Sequence, residues 1–377
     1  MSAAQVVFPH QLFVEHLDAD PATVMVLVEP DLFFRQFAFH VHKLVLHRAT
    51  MKAFQDRLRR AGFATAYVET SGEVTSDEQL VEVLREHRVD EVTVFDVVDD
   101  WLERDLRRAC RAAGAALTVA ETPGFLTSRE EVAAAFDGVR QPRMQHFYER
   151  QRRRLDLLMD GDRPVGGRWS YDTENRRRLP RDIELPALPQ STRSEHVKEA
   201  VTWCERAFPD NPGDLATYHW PTTHRQAETW LNRFLEDRFA LFGPYEDAIA
   251  ADEPWLFHSA LSPLLNIGLL DPRHVVERAV AHATEHEVDL PSLEGFVRQV
   301  IGWREYVWGM YWLRHAQWPE RNALRAQHPL PPAYRGEPTG WNCLDSTVQG
   351  VRETGYAHHI ERLMVLGTIG LTAGVEP

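Results

Sequence analysis

The first 120 residues alternate short runs of β-branched residues with amphipathic stretches of helical period. This alternation is typical of a parallel sheet covered by helices, because buried strands read as apolar runs and the covering helices bury only one face. The predicted strands are Val6–Phe8, Val24–Val28, Ala64–Val68, Val92–Phe95 and Ala116–Val119. The predicted helices are Lys43–Ala61, Asp77–His87 and Trp101–Ala113, the last ending at Gly114 as a C-terminal cap.

A sheet of this kind usually binds its ligands beyond the carboxyl ends of its strands. The residues expected near such a pocket are Pro9, His10, Gln11, Leu12 and Glu29. No G-x-G-x-x-G sequence follows the first strand, so a dinucleotide site of the usual type is not expected.

The length of 377 residues, with 44% hydrophobic content, fits two domains better than one. We predict an α/β domain over residues 1–121 and a connection rich in Pro and Arg over 122–213, with one helix at Arg143–Met159. From 214 to 377 the strand pattern disappears while Trp, Phe, Leu and Arg recur at helical spacing, which predicts an all-α domain.

The net charge of −14 means that attraction to nucleic acid would need a local basic face. Arginines concentrate at Arg150–Arg154 and at Arg176–Arg181. These runs could form that face, or they could be solvated helix surfaces and ion pairs.

No apolar run approaches the roughly 20 residues that cross a bilayer, and no basic segment precedes the short apolar run at the N-terminus. We therefore expect a cytoplasmic protein without a membrane partner. Cys110, Cys204 and Cys343 are too few and too scattered for a disulfide framework, which fits a reducing compartment. Taken alone, each is expected to be a small core residue.

Ser259 and Ser262 flank a turn into an apolar helix, where hydroxyl and backbone amide groups together suit phosphate oxygens. The simpler alternative is an ordinary helix start with Ser259 as N-cap. Further along, Arg304 lies in a mostly apolar predicted helix, so we expect it to be partly buried and to need an anionic partner. Glu305 could be that partner.

The same predicted helix carries a stripe of aromatic residues, which favours an aromatic core, although such rings also form electron-transfer relays. They are Trp303, Tyr306, Trp308, Tyr311 and Trp312. His358 and His359 are adjacent on another predicted helix and point about 100° apart, so they do not form a metal pair and one of them should face inward. They could be satisfied helix residues or a site for proton exchange.

Four segments taken together resemble the photolyase/cryptochrome family. They are Phe242–Ala248, His258–Leu270, Glu294–Tyr306 and Tyr356–Met364. The nearest branch is the bacterial iron–sulfur group of (6-4) photolyase-like, deoxyribodipyrimidine photolyase-related proteins. The resemblance runs from about Val6 to Pro377. It implies an N-terminal Rossmann-like α/β antenna domain, a long linker and a C-terminal all-helical FAD-binding domain.

The resemblance also implies two cofactor sites and a lesion site. The residues expected to hold FAD are Tyr245, His258, Ser259, Leu261, Ser262, Asn266, Trp303, Arg304 and Arg362. The residues expected at a 6,7-dimethyl-8-ribityllumazine antenna are His10, Gln11, Glu29 and Lys43. His358 and His359 would border the lesion, and Pro164–Asp172 with Asn175–Pro180 resembles the segment that wraps between the two domains.

Cys343, within Trp341–Leu344, resembles the first thiolate ligand of a [4Fe–4S] cluster. Such a cluster needs four thiolates, and the family's other three cysteines belong to a C-terminal segment beyond the matched region. We therefore expect no cluster on this chain alone and interpret the sequence as C-terminally truncated. Two further departures are Tyr334-Arg335, where the family has a relay Trp, and Pro9-His10, where it has Gly-Asp before the antenna residue Gln11.

The leading hypothesis is a light-dependent repair enzyme for UV-damaged DNA, in which photoexcited reduced FAD passes an electron to a flipped pyrimidine photoproduct. The alternatives are a cryptochrome-type blue-light sensor without repair activity and an inactive truncated remnant. No protein partner is implied.

Overall fold

The computed structural model describes residues 2–251 and 253–377, the side chains of Pro319 and Glu320 excepted. The chain divides into two compact units. The first contains residues 1–124, 190–229 and 261–271, and the second contains 125–189, 230–260 and 272–377. The predicted boundary at 121 lies close to the first crossing, but the predicted connection 122–213 is shared between the units and the chain crosses again later.

A five-stranded parallel sheet lies in the first unit. Its strands are β1 Ser2–Val7, β2 Val24–Val28, β3 Thr65–Val68, β4 Val89–Phe95 and β5 Ala116–Ala120, in the order β3-β2-β1-β4-β5. Val6 pairs with Val26 and Gln5 with Thr93, so β1 is hydrogen-bonded on both sides. All five predicted strands are confirmed with small changes at their ends, because a central parallel strand is buried on both faces and gives a clear apolar run.

The helices of the N-terminal region are α1 Asp31–Phe34, α2 Val41–Arg60, α3 Ser76–Glu86 and α4 Asp100–Ala113. Thr75 and Glu78 form a reciprocal capping box at the start of α3, and the Asp99 side chain accepts from Leu102 N at the start of α4. Gly114 closes α4 with φ +80°, as predicted. The apolar faces of α3 and α4 pack on the sheet residues Val6, Val26 and Val92.

Most of the remaining chain is helical. The elements are α5 Arg129–Phe136, α6 Met144–Leu155, the hairpin β6 Met159–Asp160 and β7 Arg163–Pro164, α7 Glu195–Ala207, α8 His224–Asp237, α9 Phe239–Phe242, α10 Ser262–Asn266, α11 Pro272–Glu285, α12 Leu290–Val297, α13 Glu305–Arg314, α14 Asn342–Thr354 and α15 Thr368–Thr372. The predicted helix Arg143–Met159 ends early because Asp156 adopts a left-handed conformation, φ +52°. Within the described residues after 214, strand pairing is limited to one bridge between His328 and Val375, which fits the all-α prediction.

Two helical stretches are locally widened into π-helix. Arg298–Arg304 joins α12 to α13, and Glu361–Gly367 leads into α15. Such widening is costly and is frequent at functional sites. The two π-helical segments carry Arg304 and Arg362, both expected near a flavin. In the part of the chain that the structure describes, no helix is long and apolar enough to cross a membrane.

Candidate functional site

Three histidine rings meet in the second unit. His258 stacks on His358 with ring centroids 4.6 Å apart and an interplanar angle of 14°, and the His359 ring lies edge-on to His258 at 5.5 Å. One ring nitrogen from each residue lies within 4.8 Å of the others. We call His258, His358 and His359 the histidine trio.

Two members of the trio are buried, and ring nitrogens of both lack hydrogen-bond partners in the part of the chain that the structure describes. His358 is 1% exposed and His258 7% exposed. Neither nitrogen of His358 nor Nε2 of His258 has a hydrogen-bond partner among the described residues, although Glu361 Oε2 lies 3.5 Å from His358 Nε2. A buried polar atom without a partner is costly, so these atoms indicate a place where a ligand completes the bonding.

Burial also sets the charge of these two rings. It lowers the pKa of His358 to about 3, with help from the positive potentials of His359 and Arg362. It lowers the pKa of His258 well below its ordinary value, and the other two histidines add to this. Both imidazoles are therefore neutral at physiological pH. A histidine that exchanges protons was expected to have a pKa near neutrality, and His358 does not.

His359 differs from His358 as the prediction of one inward-facing ring requires. Its side chain is 37% exposed, and its Nε2 lies 3.4 Å from Asp247 Oδ1. Arg176 Nε approaches the other oxygen of Asp247 at 3.4 Å. The pKa of Asp247 is lowered, first by its hydrogen bond with His359, so this carboxylate stays ionised beside the ring.

Arg238 fixes the loop that carries His258. It is buried, and its NH1 donates to the carbonyls of Leu256 at 3.0 Å and His258 at 3.4 Å, while its NH2 donates to Pro186 O at 2.6 Å. Leu256 and Ala260 have positive φ of 37° and 52° on either side of His258. Strained non-glycine backbone of this kind persists only where surrounding contacts hold it. No pattern in the sequence predicted this role of Arg238.

The turn after α9 is anchored in a buried network of charges that the sequence analysis also missed. Glu246 Oε1 accepts from Gln299 at 2.6 Å, Asn175 donates to Glu246 Oε2, and Arg298 lies 3.5 Å from the same oxygen. Arg298 also contacts Glu294 Oε1 at 3.2 Å. Burial raises the pKa of Glu246 to about 8 against the opposing effect of Arg298. The i, i+4 spacing of Glu294 and Arg298 in an apolar helix was the available signal.

Aromatic residues flank the histidine trio along the chain, and the ring of Phe242 lies 6.0 Å from that of His258. Tyr245, on the anchored turn, lies 5.6 Å from the ring of Phe257. Trp255 stacks on the half-buried Tyr356 at 4.2 Å, two residues before His358. Flat rings with unpaired nitrogen atoms among them suit a planar heterocyclic ligand.

Arg304 is packed as the sequence predicted for a charged residue in an apolar helix. Its guanidinium lies 4.0 Å from the ring centroid of Phe125, which in turn stacks on Trp308 at 4.8 Å. Burial lowers the pKa of Arg304 to about 10, and the neighbouring Glu305 opposes this shift. Trp308 is thus a core residue, whereas Trp303 is largely exposed.

The segment expected to hold phosphate crosses from the second unit into the first. Ser259 belongs to the second unit and is half-buried, while Leu261, Ser262 and Asn266 belong to the first. Helix α10 begins at Ser262 with Leu261 as N-cap and without a side-chain cap, so the alternative of Ser259 as N-cap is wrong. The Ser262 and Asn266 side chains are exposed, and their cofactor role stays a prediction.

The residues predicted for the antenna divide into two groups. His10 Nε2 bonds to Val97 O at 2.6 Å and Gln11 Nε2 donates to Phe95 O at 2.7 Å, while His10 Nδ1 and Gln11 Oε1 are buried without hydrogen-bond partners among residues 2–251 and 253–377. Lys43 lies 5.6 Å from the ring of Phe33, which also contacts His10 at 5.1 Å. The unpaired atoms lie beyond the carboxyl ends of β1 and β4, where a ligand is expected.

Glu29, in contrast, is already engaged. It pairs with Arg48 at 3.1 Å and accepts from Tyr67 OH at 2.7 Å and Thr70 N at 3.1 Å. It therefore acts as a structural residue at the end of β2, and its antenna role stays a prediction.

The cysteines lie apart. Cys110 and Cys204 are buried in the first unit, and burial raises their pKa to about 11 and about 12. Both are inert core residues, as predicted. Cys343 is exposed near the start of α14 in the second unit, and its role as a cluster ligand stays a prediction.

The two arginine runs have different surroundings. Arg152 is buried and donates to Trp169 O at 3.0 Å, so it is structural. Arg154 pairs with Glu131 at 2.9 Å. In the second run, Arg177, Arg178 and Arg181 are exposed and follow directly after Arg176, which contacts Asp247. The second run is therefore an exposed basic segment that begins beside Asp247, the carboxylate that contacts His359.

Comparison with known proteins agrees with these features. The deoxyribodipyrimidine photo-lyase-related protein model matches residues 5–220. The chain is 34% identical over 343 residues to a (6-4) photolyase of Agrobacterium fabrum, which covers 90% of this chain and 67% of that protein. The chain belongs to the deoxyribodipyrimidine photolyase-related family.

Other relatives extend the comparison. An uncharacterized protein of Acanthamoeba polyphaga mimivirus is 31% identical over 194 residues, covering 48% of this chain and 98% of the viral protein. The crystal structure of a class III photolyase from Agrobacterium tumefaciens matches all of this chain with a TM-score of 0.63 at 15% identity, and 74% of that photolyase chain is covered. The crystal structure of a Synechocystis cryptochrome also matches all of this chain with a TM-score of 0.63, at 13% identity, and 76% of that cryptochrome chain is covered. The fold of this family member is therefore the photolyase/cryptochrome fold.

Proposed function

We propose that this photolyase-related protein is a flavoprotein that repairs (6-4) pyrimidine photoproducts in UV-damaged DNA when illuminated. The observation that carries the proposal is the histidine trio, two of whose rings are buried with unpaired nitrogens, in a family member 34% identical to a (6-4) photolyase. Its aromatic surroundings fit a flat cofactor with hydrogen-bonding edges. FAD would be held by the residues that the resemblance assigns to it, with Tyr245, His258, Arg304 and Arg362 in the second unit.

Reduced FAD, when photoexcited, would supply an electron to the lesion. The chain's own residues would bind the extruded base and move a proton. His358 is neutral and buried, so it can offer hydrogen bonds to a polar base edge that enters the site. His359 lies beside the ionised Asp247, which can stabilise the imidazolium formed when His359 takes up a proton.

The exposed arginines of the second run would bind DNA backbone next to this site. A flipped nucleotide needs its flanking phosphates held while the base leaves the stack. Arg177, Arg178 and Arg181 are placed for this role in sequence after Arg176, which already contacts Asp247. This local positive segment would compensate for the net charge of −14.

Flavin binding is tested by purifying the protein with added FAD, desalting it and recording the visible spectrum and the flavin released on denaturation. We expect bound flavin in the parent protein and a sharply reduced content in Arg304→Ala, because a buried cation that faces the cofactor is lost. Arg321→Ala, at an exposed position, is the control and should keep its flavin. A colourless parent protein that releases no flavin on denaturation would contradict the flavin assignment.

Repair is tested by illuminating the reduced protein with an oligonucleotide that carries one (6-4) photoproduct and measuring restored thymines by chromatography. We expect His358→Ala and His359→Ala to abolish repair and to leave flavin content nearly unchanged, because His358 would hydrogen-bond the base and His359 would exchange the proton, and each role needs an imidazole within hydrogen-bond reach. His286→Ala, at an exposed position just after α11, should repair normally. Full repair by both trio variants would defeat the assignment, and flavin loss in both would show that they are structural.

A further inference from the structure

The histidine trio has the composition of a metal site as well as of a lesion site. Imidazole nitrogen is a ligand that first-row divalent ions favour, and three histidines with an open fourth position are a known zinc arrangement. From the sequence, His358 and His359 were not expected to bind a metal as a pair, because adjacent helical residues point apart. That argument did not include His258, which the fold brings from a different segment.

The geometry points to a binding site for one Zn²⁺ ion formed by His258, His358 and His359. Three ring nitrogens already lie within 4.8 Å of one another. A tetrahedral ion with bonds of about 2.0–2.1 Å needs its ligand nitrogens about 3.4 Å apart. His258 and His358 stand in irregular backbone, so small ring rotations away from their parallel stacking can provide this contraction.

A second observation points to a ligand at the same place. His258 and His358 are more than nine-tenths buried, and their nitrogens Nε2 of His258 and Nδ1 and Nε2 of His358 lack hydrogen-bond partners in the described chain. A neutral imidazole has one nitrogen lone pair, so a metal ion would use one nitrogen of each ring. The two rings stack on each other, which brings their edges close together.

The surroundings supply the outer contacts that metal-bound histidines usually have. Asp247 Oδ1 lies 3.4 Å from His359 Nε2, which leaves the other nitrogen of that ring for the ion. A carboxylate behind a ligating histidine fixes its orientation and raises its basicity. Arg238 and Arg362 add positive potential at the trio, and the carboxylates of Asp247 and Glu361 offset it.

The experiment measures Zn²⁺ binding to the chelator-treated full chain by titration calorimetry, in the dark and without DNA. His282, in the last turn of α11, and His286, just after its end, form an i, i+4 pair with rings 4.2 Å apart, and such a pair can bind metal by itself. His286→Ala is therefore the parent for all measurements. We expect one Zn²⁺ per chain in this parent, and four-coordinate ligand-field bands when Co²⁺ replaces zinc.

His258→Gln and His359→Ala, each added to this parent, should abolish stoichiometric Zn²⁺ binding and the Co²⁺ bands. His359 is half-exposed, so its replacement is compatible with the fold, and circular dichroism checks both variants. Asp247→Asn should weaken Zn²⁺ binding by about 10-fold. A parent that binds no Zn²⁺, or folded trio variants that bind it as the parent does, would overturn the proposal. Since no light-driven step is measured, this outcome is independent of repair activity.

Discussion

At the scale of single residues, the histidine site depends on a buried cation that touches no ring. Arg238 bonds to three carbonyl groups, two of them in the strained loop that carries His258. A buried guanidinium is compatible with the fold only when its donors are satisfied, and its planar shape reaches several acceptors at once. The position of His258 therefore follows from a residue between α8 and α9.

We expect Arg238→Lys to lower the free energy of unfolding by about 2–4 kcal/mol, because an ammonium group cannot reach all three carbonyls and leaves acceptors buried without donors. Urea unfolding followed by circular dichroism measures this. Arg233→Lys on α8, the helix that ends just before Arg238, is the matched control; its side chain is 58% exposed, and the change should alter stability by less than about 0.5 kcal/mol. Equal stabilities of the two variants would contradict the role of Arg238.

At the scale of elements, the turn after α9 packs directly on the start of α12. Gly243 N donates to Ser292 Oγ at 2.9 Å, and Ser292 Oγ donates to Ala240 O at 2.9 Å. A Cβ atom added at Gly243 would lie 2.5 Å from Ser292 N and 2.6 Å from the carbonyl carbon of Pro291. Only glycine permits this approach, which holds Tyr245 and Asp247 on the same turn.

Gly243→Ala should destabilise the protein by about 1–3 kcal/mol, because rigid backbone atoms must move apart. Thermal and urea unfolding provide the measurement. Gly350→Ala is the control: Gly350 lies inside α14, nothing lies within 4 Å of its added Cβ, and alanine there should stabilise by about 0.5–1 kcal/mol. If both substitutions change stability in the same direction, the close approach is not the cause.

At the scale of the whole molecule, three histidines with lowered pKa make the first unit sensitive to acid. Burial lowers the pKa of His10, His16 and His224 from 6.5 to about 4 in each case. Above pH 6.5 each ring is neutral in both the folded and the unfolded chain, so its titration does not change stability with pH. Between pH 6.5 and 4 these histidines bind protons in the unfolded chain but not in the folded chain, so stability falls as pH falls.

Each of these histidines should cost about 3 kcal/mol of stability by pH 4. His16→Gln tests this with one group, since glutamine can keep the donation that His16 Nε2 makes to Gln11 O at 2.7 Å. The difference in unfolding free energy between parent and variant, measured by urea denaturation at several pH values, should shrink by about that amount from pH 7 to pH 4. A constant difference across this range would show that His16 is not the titrating group.

The sequence by itself determined the sheet and its covering helices, because the burial of a strand or a helix face produces a local periodicity of apolar residues. It also indicated the segments with His258, Arg304 and His358–His359, and one inward-facing histidine. Only the tertiary structure joined His258 to the other two rings, placed Arg238 behind it, and divided residues 122–213 between two units. Local pattern sets which residues are buried, but which distant buried residues meet depends on packing of the whole chain, and single-residue periodicity carries no information about that.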